Sequence, residues 1–205
     1  MWAGEEGWGF HYQGDVLPLL RESWDLIICH PPCTDLSQAG ARYWKEKLAN
    51  GRQHAAIKFF LKMFSYANEG AYVVVENPNG IMSRGPVGRE PDQVIQPWMF
   101  GDPLIKTTHL WYRDANQNNG WYRDSLPHLK PTHTLADYPE GVSRTVTGGG
   151  SWRTDTKDGK TGMNKAWEDS QGRGRRNILR SLTPTGFAEQ AAAQWGSYVE
   201  SKRAR

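Results

Sequence analysis

Two short apolar runs, each cut off by proline, do most to limit what this chain can fold into. Trp24 to His30 (WDLIICH) stops at Pro31-Pro32, and Ala71 to Glu76 (AYVVVE) stops at Asn77-Pro78. Runs of that length, apolar at successive positions and bounded by helix breakers, suit strands covered on both faces. Between them Ile57, Phe60, Leu61 and Phe64 recur at i, i+3, i+4 and i+7, which predicts an amphipathic helix over about 53–68. Strand, helix, strand is a βαβ crossover, because parallel strands cannot be joined by a tight turn and need a connection of this length. The chain should therefore hold an α/β sheet in which the 24–30 and 71–76 strands lie side by side and parallel, with the helix packed on one face.

Beyond residue 85 the pattern loosens. Prolines and glycines punctuate 86–139, Asn116 to Gly120 (NQNNG) reads as a turn, and Thr108 to Tyr112 (THLWY) is a short strand candidate, so an irregular β-hairpin and loop region is expected. Residues 147–174, rich in Gly, Thr, Asp and Lys, have the composition of a mobile loop. Order returns at Thr183, a helix-capping residue followed by Pro184, with Phe187, Ala191, Trp195 and Tyr198 along one helical face. A chain of 205 residues, 38% of them hydrophobic, can bury one core. It is read as a single domain over 1–205, with a βαβ core at 10–85, hairpin and loops at 86–180 and a C-terminal helix at 181–200.

The formal net charge is only +3, yet residues 171–205 carry seven Lys/Arg against two Asp/Glu, a local +5 that leaves −2 for everything before. A phosphate backbone would meet that basic end first, although Lys202, Arg203 and Arg205 also suit a solvated tail. Two cysteines, Cys29 and Cys33, are too few for a disulfide framework and fit a reducing cytoplasm. No apolar run approaches the roughly 20 residues that span a bilayer and no signal-peptide pattern is visible, so a cytoplasmic protein with no membrane partner is expected. A zinc site on Cys29, His30 and Cys33 is unattractive, because adjacent strand residues point to opposite faces and no Cys-x-x-Cys completes the ligand set. No metal is expected.

In open parallel sheets, ligands bind beyond the carboxyl ends of the strands. Both proline-punctuated motifs fall there, so the thiol of Cys33 and the carboxyl of Glu76 should project into one crevice, with the diproline as a stiff turn that holds the thiol. Taken singly, a cysteine is more often a small buried hydrophobe, and a glutamate here a loop carboxylate or helix cap. Together they have the chemistry that substitution at C5 of a pyrimidine requires. C5 of cytosine is a poor nucleophile, so a thiolate adds to C6 while an acid engages N3, and the resulting enamine attacks an electrophilic methyl. A base then takes the C5 proton and the thiolate leaves.

Cys29-His-Pro-Pro-Cys33-Thr34 is similar to the Pro-Cys nucleophile motif, and Val75-Glu-Asn-Pro78 to the Glu-Asn motif, of cytosine-C5 DNA methyltransferases. More closely, Gly14-Asp15, His30 to Cys33, Gly40 to Arg42, Glu76 to Pro78, Ile95 to Trp98, Phe100-Gly101, Leu129 to Thr132 and Ala193 to Gly196, in that order, resemble short phage-type members. The resemblance covers most of the chain from residue 13, with a gap at about 135–170. It implies a Rossmann-like methyltransferase sheet, S-adenosylmethionine as methyl donor, and DNA as partner with the target base flipped out of the duplex. It also implies Cys33 as nucleophile and Glu76 as the N3 partner, with Pro32, Asn77 and Pro78 shaping the base pocket and Asp15 contacting the adenine of the cofactor. Gln171-Gly-Arg173-Gly-Arg175 spells the family's Gln-x-Arg-x-Arg pattern, whose arginine helps hold the base. In the family that pattern precedes the target-recognition region, whereas here it runs into Arg180-Ser-Leu-Thr183.

The family's opening strand and Phe-x-Gly cofactor loop have no counterpart in this sequence. That predicts an N-terminally incomplete sheet, an uncovered sheet edge beside a strand at about 10–15, and weak cofactor binding. Two other readings stay open. Exocyclic-amine methyltransferases carry an Asp/Asn/Ser-Pro-Pro-aromatic motif at the same strand end, from which His30-Pro-Pro-Cys33 departs at both ends. A non-catalytic DNA-binding remnant would keep the fold without a cofactor site.

Overall fold

The computed structural model describes residues 12–67, 70–102, 106–113, 126–137 and 183–203, with the backbone alone at 2–3 and 10–11. The protein is mixed α/β. Strands β1 (Trp2–Ala3) and β2 (Phe10–His11) pair antiparallel in a small sheet of their own. Among the described residues the main sheet has four strands, β3 (Leu26–Cys29), β4 (Tyr72–Pro78), β5 (Gln93–Ile95) and β6 (Thr108–Tyr112), in the spatial order β3-β4-β6-β5. β3 and β4 are parallel, from Leu26 opposite Tyr72 to Cys29 opposite Val75, and β6 runs antiparallel to both of its neighbours.

The crossover from β3 to β4 contains α1 (Trp44–Ala49) and α2 (Arg52–Tyr66), the second where the apolar periodicity predicts a helix. Gly51 joins them at φ 79°, in the left-handed region that a side chain disfavours. At its other end α2 is closed by Arg113, which follows β6 and donates to the carbonyls of Ala67 and Ala71, each at 2.8 Å. A guanidinium there answers the negative end of the helix dipole.

Period-two alternation divides β4 between two cores. Val73 and Val75 face α2 and join Phe60, Met63 and Trp111, with Phe60 edge-on to Trp111 at 5.3 Å. Tyr72 and Val74 face the opposite way and join Leu110, Tyr112 and the last helix, α3 (Thr185–Arg203). That helix buries Phe187, Ala191, Trp195 and Val199, a strict i+4 stripe, while Tyr198 lies edge-on to Tyr72 at 5.8 Å. The sheet is therefore a layer between α2 and α3.

Several expectations change. β3 packs on both faces, Leu26 and Ile28 against one core and Ile27 and Cys29 against the other, but it is the end strand among the described residues, where Leu26, Ile27 and Ile28 are only half-buried and Trp24 is exposed. β4 continues through Asn77 and Pro78, the proline being tolerated because it is the last residue of the strand. β5 and β6 are antiparallel neighbours as in a hairpin, but β6 is wedged between β4 and β5 and so belongs to the main sheet. Residues 12–15 are not a strand, and β2 pairs with β1 rather than lying along the main sheet. The N–H of Phe187 in the first turn of α3 is taken by the carboxylate of Asp102 at 3.2 Å, an acceptor remote in sequence from Thr183. Arg203 is held by Asp25 through Nε at 2.8 Å and Nη2 at 2.5 Å, so this part of the basic tail is engaged.

Candidate active site

β3, β4 and β5 point one way and β6 the other, so the ends of the first three and the start of the fourth meet at one margin of the sheet. A cavity of about 290 Å³ opens there. Its walls are His30 to Thr34 after β3, Glu76 and Pro78 on β4, Ile95 and Pro97 around the end of β5, Lys106 and Thr108 at the start of β6, and Thr183, Pro184 and Phe187 at the head of α3. Cys33 and Glu76 thus share one cavity, with Pro32 and Pro78 beside them. Asn77 does not line it. Period two turns its side chain to the α2 face, where it is fully buried and its Nδ2 donates to the carbonyl of Pro31 at 3.0 Å. It holds the diproline turn from behind.

The loop carrying Cys33 is fixed at both ends. The carbonyl of Cys33 accepts from Leu36 at 3.0 Å and Ser37 at 2.8 Å, which folds the chain into a tight turn. Lys47, only 8% exposed, donates to the carbonyl of Thr34 and pairs with Asp35 at 3.2 Å; Arg52 reaches the same carboxylate at 3.1 Å. The loop is also joined directly to the turn after β4. Ile81 donates to the carbonyl of Leu36 and Gln38 to that of Asn79, both at 2.8 Å. Between these bonds sits Gly80, where a Cβ would lie 2.1 Å from the carbonyl oxygen of Leu36. Only a residue without a side chain lets the two motif loops approach so closely.

Glu76 is buried, 7% exposed, and its Oε2 lies 3.1 Å from Nδ1 of His30, the one hydrogen-bond partner of this carboxyl among the described residues. Burial pushes the Cys33 thiol above its ordinary value, and Glu76 adds to the rise, while the ammonium groups of Lys106 and, more weakly, Lys47 pull it back. Lys106 is well placed to do so. Its own N–H donates to Gln96 Oε1 at 2.9 Å, the same amide donates to Thr107 Oγ1 at 2.8 Å, and Thr108 Oγ1 donates to the Lys106 carbonyl at 3.0 Å. Cys29 differs sharply. Packed in the α2-side core, its thiol is pushed up to about 12, which leaves it without thiolate character at neutral pH.

The remaining predicted residues are dispersed. Asp15 is exposed, Oδ1 accepts from the N–H of Leu17 at 3.0 Å, and it is not part of the cavity wall. Its Oδ2 has no partner among the described residues and stands as an exposed acceptor. Arg173 and Arg175 lie outside the described residues. His30, Lys106 and the head of α3 belong to the cavity without having been singled out as its residues. His30 was legible as a neighbour of the diproline, and Lys106 as the basic residue just ahead of a strand candidate, but nothing local in Thr183 to Phe187 points to the ends of β3 and β4. Among the described residues no helix is long and apolar enough to cross a membrane, and no group of three or more His, Cys, Asp or Glu could hold a metal ion.

Comparison of the chain with protein-family models, with curated proteins and with solved structures finds no match in any of the three.

Proposed function

We propose that this chain is a Rossmann-like, S-adenosylmethionine-dependent DNA methyltransferase that acts on C5 of a flipped-out cytosine through a covalent Cys33 adduct. The observation that carries the reading is the meeting of the Cys33 thiol and the buried Glu76 carboxyl in one cavity, beyond the carboxyl ends of two adjacent parallel strands. At about 290 Å³ the cavity is at the small end of ligand pockets, suited to a single flat ring rather than to a dinucleotide. Its walls bring the apolar side chains of Pro32, Pro78, Ile95 and Phe187 together with the polar Cys33, Glu76 and Lys106, a lining that suits a flat heterocycle.

Cys33 gives its thiol proton to water and its sulfur bonds to C6, and the displaced π electrons run through C4 toward N3. Glu76 supplies the proton that N3 then needs. The ammonium of Lys106 favours the thiolate before attack and offsets the negative charge that spreads onto the C2 carbonyl during it. S-adenosylmethionine, when bound, supplies the electrophilic methyl for C5, and Asp15 would hold its adenine amine. Loss of the C5 proton to water, departure of Cys33 and return of the N3 proton to Glu76 restore the aromatic ring. DNA as partner, Arg173 and Arg175 as residues near the base, and a cytoplasmic setting follow from the sequence resemblance.

DNA in which every cytosine is 5-fluorocytosine tests this without knowledge of the target sequence, because fluorine cannot leave C5 as a cation and the adduct persists. With S-adenosylmethionine, the wild type should migrate on a denaturing gel as a DNA-linked species, and Cys33→Ala should not. Methylated DNA without any adduct would instead favour transfer to an exocyclic amine, and neither product would count against methyl transfer altogether.

A further inference from the structure

Glu76 is asked to give a proton to the base and to take it back, yet its carboxyl is buried. Its side chain is 9% exposed, and the one group that meets it by hydrogen bond among the described residues is His30, at 3.1 Å. His30 is the reverse case. Its side chain is 39% exposed, and it stands in the cavity wall at the start of the diproline turn. An imidazole has two ring nitrogens that can accept and release protons at opposite ends, so a partly exposed ring with Nδ1 on a buried carboxyl can pass a proton between that carboxyl and solvent.

We propose that His30 is the proton relay of Glu76, the residue that reloads this acid from solvent in each cycle. The inference rests on the cytosine-C5 reading of the cavity. The step balances as follows in the ring itself: as the Cys33 sulfur bonds to C6 and N3 takes the proton of Glu76, the carboxylate takes the Nδ1 proton of His30 while water protonates Nε2. The imidazole begins and ends neutral with its tautomer exchanged. When Cys33 leaves, N3 returns its proton to Glu76 and the relay runs backward. Without His30 the buried carboxylate formed on Glu76 would have no hydrogen-bond partner among the described residues.

The hydrogen bond also orients the carboxyl, so the test must separate proton supply from positioning. Release of tritium from DNA labelled at C5 of every cytosine reports attack at C6 and its reversal, and needs no knowledge of the target site. His30→Ala should lower release by about 10²–10⁴-fold, the range of a lost acid–base group. Free imidazole should restore at least roughly tenfold of it, with a rate that varies with the basicity of substituted imidazoles. His30→Asn keeps a hydrogen-bonding group near the position of Nδ1 but cannot carry a proton, and should be as slow as His30→Ala. Release by His30→Asn at the wild-type rate would overturn the relay and leave positioning as the whole role, as would His30→Ala at the wild-type rate. Wild-type protein that releases no tritium with S-adenosylmethionine present would overturn the C5 reading itself, and the relay with it.

Discussion

The two faces of β4 are built by alternate residues of one short strand and end in opposite ways. On the α2 face Val73, Val75 and Asn77 are buried without a gap, and the last of them spends its amide on the backbone of Pro31. On the α3 face Tyr72 and Val74 are just as deep in a core, but the next residue in register, Glu76, meets a cavity instead of a packed side chain. The sealed face serves the open one: it supplies the rigid backing against which a thiol-bearing loop and a carboxyl-bearing strand are set. A site of this kind needs its supporting layer to be stiff, because an error of about 1 Å in placement can cost on the order of 10²-fold in rate.

That division predicts stability effects on one face and activity effects on the other. Phe60→Ala, on the sealed face, should destabilise the protein by about 3–5 kcal/mol in denaturant titrations, the usual cost of emptying an aromatic site in a core. Glu76→Gln, nearly isosteric on the open face, should lose about 10²–10⁴-fold in tritium release while its denaturant midpoint moves far less. If Glu76→Gln proved as unstable as Phe60→Ala, the carboxyl would be structural and the contrast between the faces would fail.

Gly80 lies outside the cavity but joins the two motif loops. Gly80→Ala drives a methyl against the backbone of Leu36, so overpacking should cost about 1–3 kcal/mol. The displaced Cys33 should slow tritium release by roughly 10²-fold. Wild-type release by this variant would mean that the loops tolerate separation.

The sealed face should also carry its own pH dependence. Burial holds the imidazole of His109 below its ordinary 6.5, with Ser83 Oγ at 2.5 Å from Nδ1. The unfolded chain then takes up a proton before the folded one does, so stability is full above 6.5 and drains as pH falls through and below it. Denaturant midpoints measured from about pH 7.5 down to about pH 5 should fall, and less so in His109→Asn. An equal slope in both proteins would assign the loss to other groups.

The smallest effect belongs to Lys106. Its charge pulls the Cys33 thiol down, so Lys106→Gln should shift alkylation of Cys33 by iodoacetamide to higher pH without changing the fold, and Lys106→Arg should restore it. Cys29, buried and pushed up to about 12, should stay unmodified in all three proteins and serve as the internal reference.

Much of this arrangement was legible before any coordinates. The period of 3.6 over Ile57, Phe60, Leu61 and Phe64 announced α2, and the apolar run with its proline stop announced β4, because hydrophobic periodicity is a local record of which faces will be buried. The pairing of Cys33 with Glu76 followed from a topological rule, that parallel strands joined by a crossover expose their carboxyl ends at the same margin. The two packed faces of β3 are legible in its apolar run, but not its shallow burial or its place at the end of the strand order, since such a run does not record whether another strand lies beside it. The strand at Thr108 to Tyr112 could be seen, but not its place between β4 and β5, for pairing order depends on contacts far apart in the chain.

Local pattern therefore determined the elements, the thiol and the carboxyl, since each is written in a few neighbouring residues. Tertiary structure alone decided what surrounds them. Lys106 and the head of α3 come to the cavity from distant segments, Asn77 turns away to hold Pro31, and His30 meets Glu76. The physical reason is that the burial of a side chain, the partner of a buried polar group and the field at a thiol are each set by whatever packs around them, and packing is a property of the whole fold.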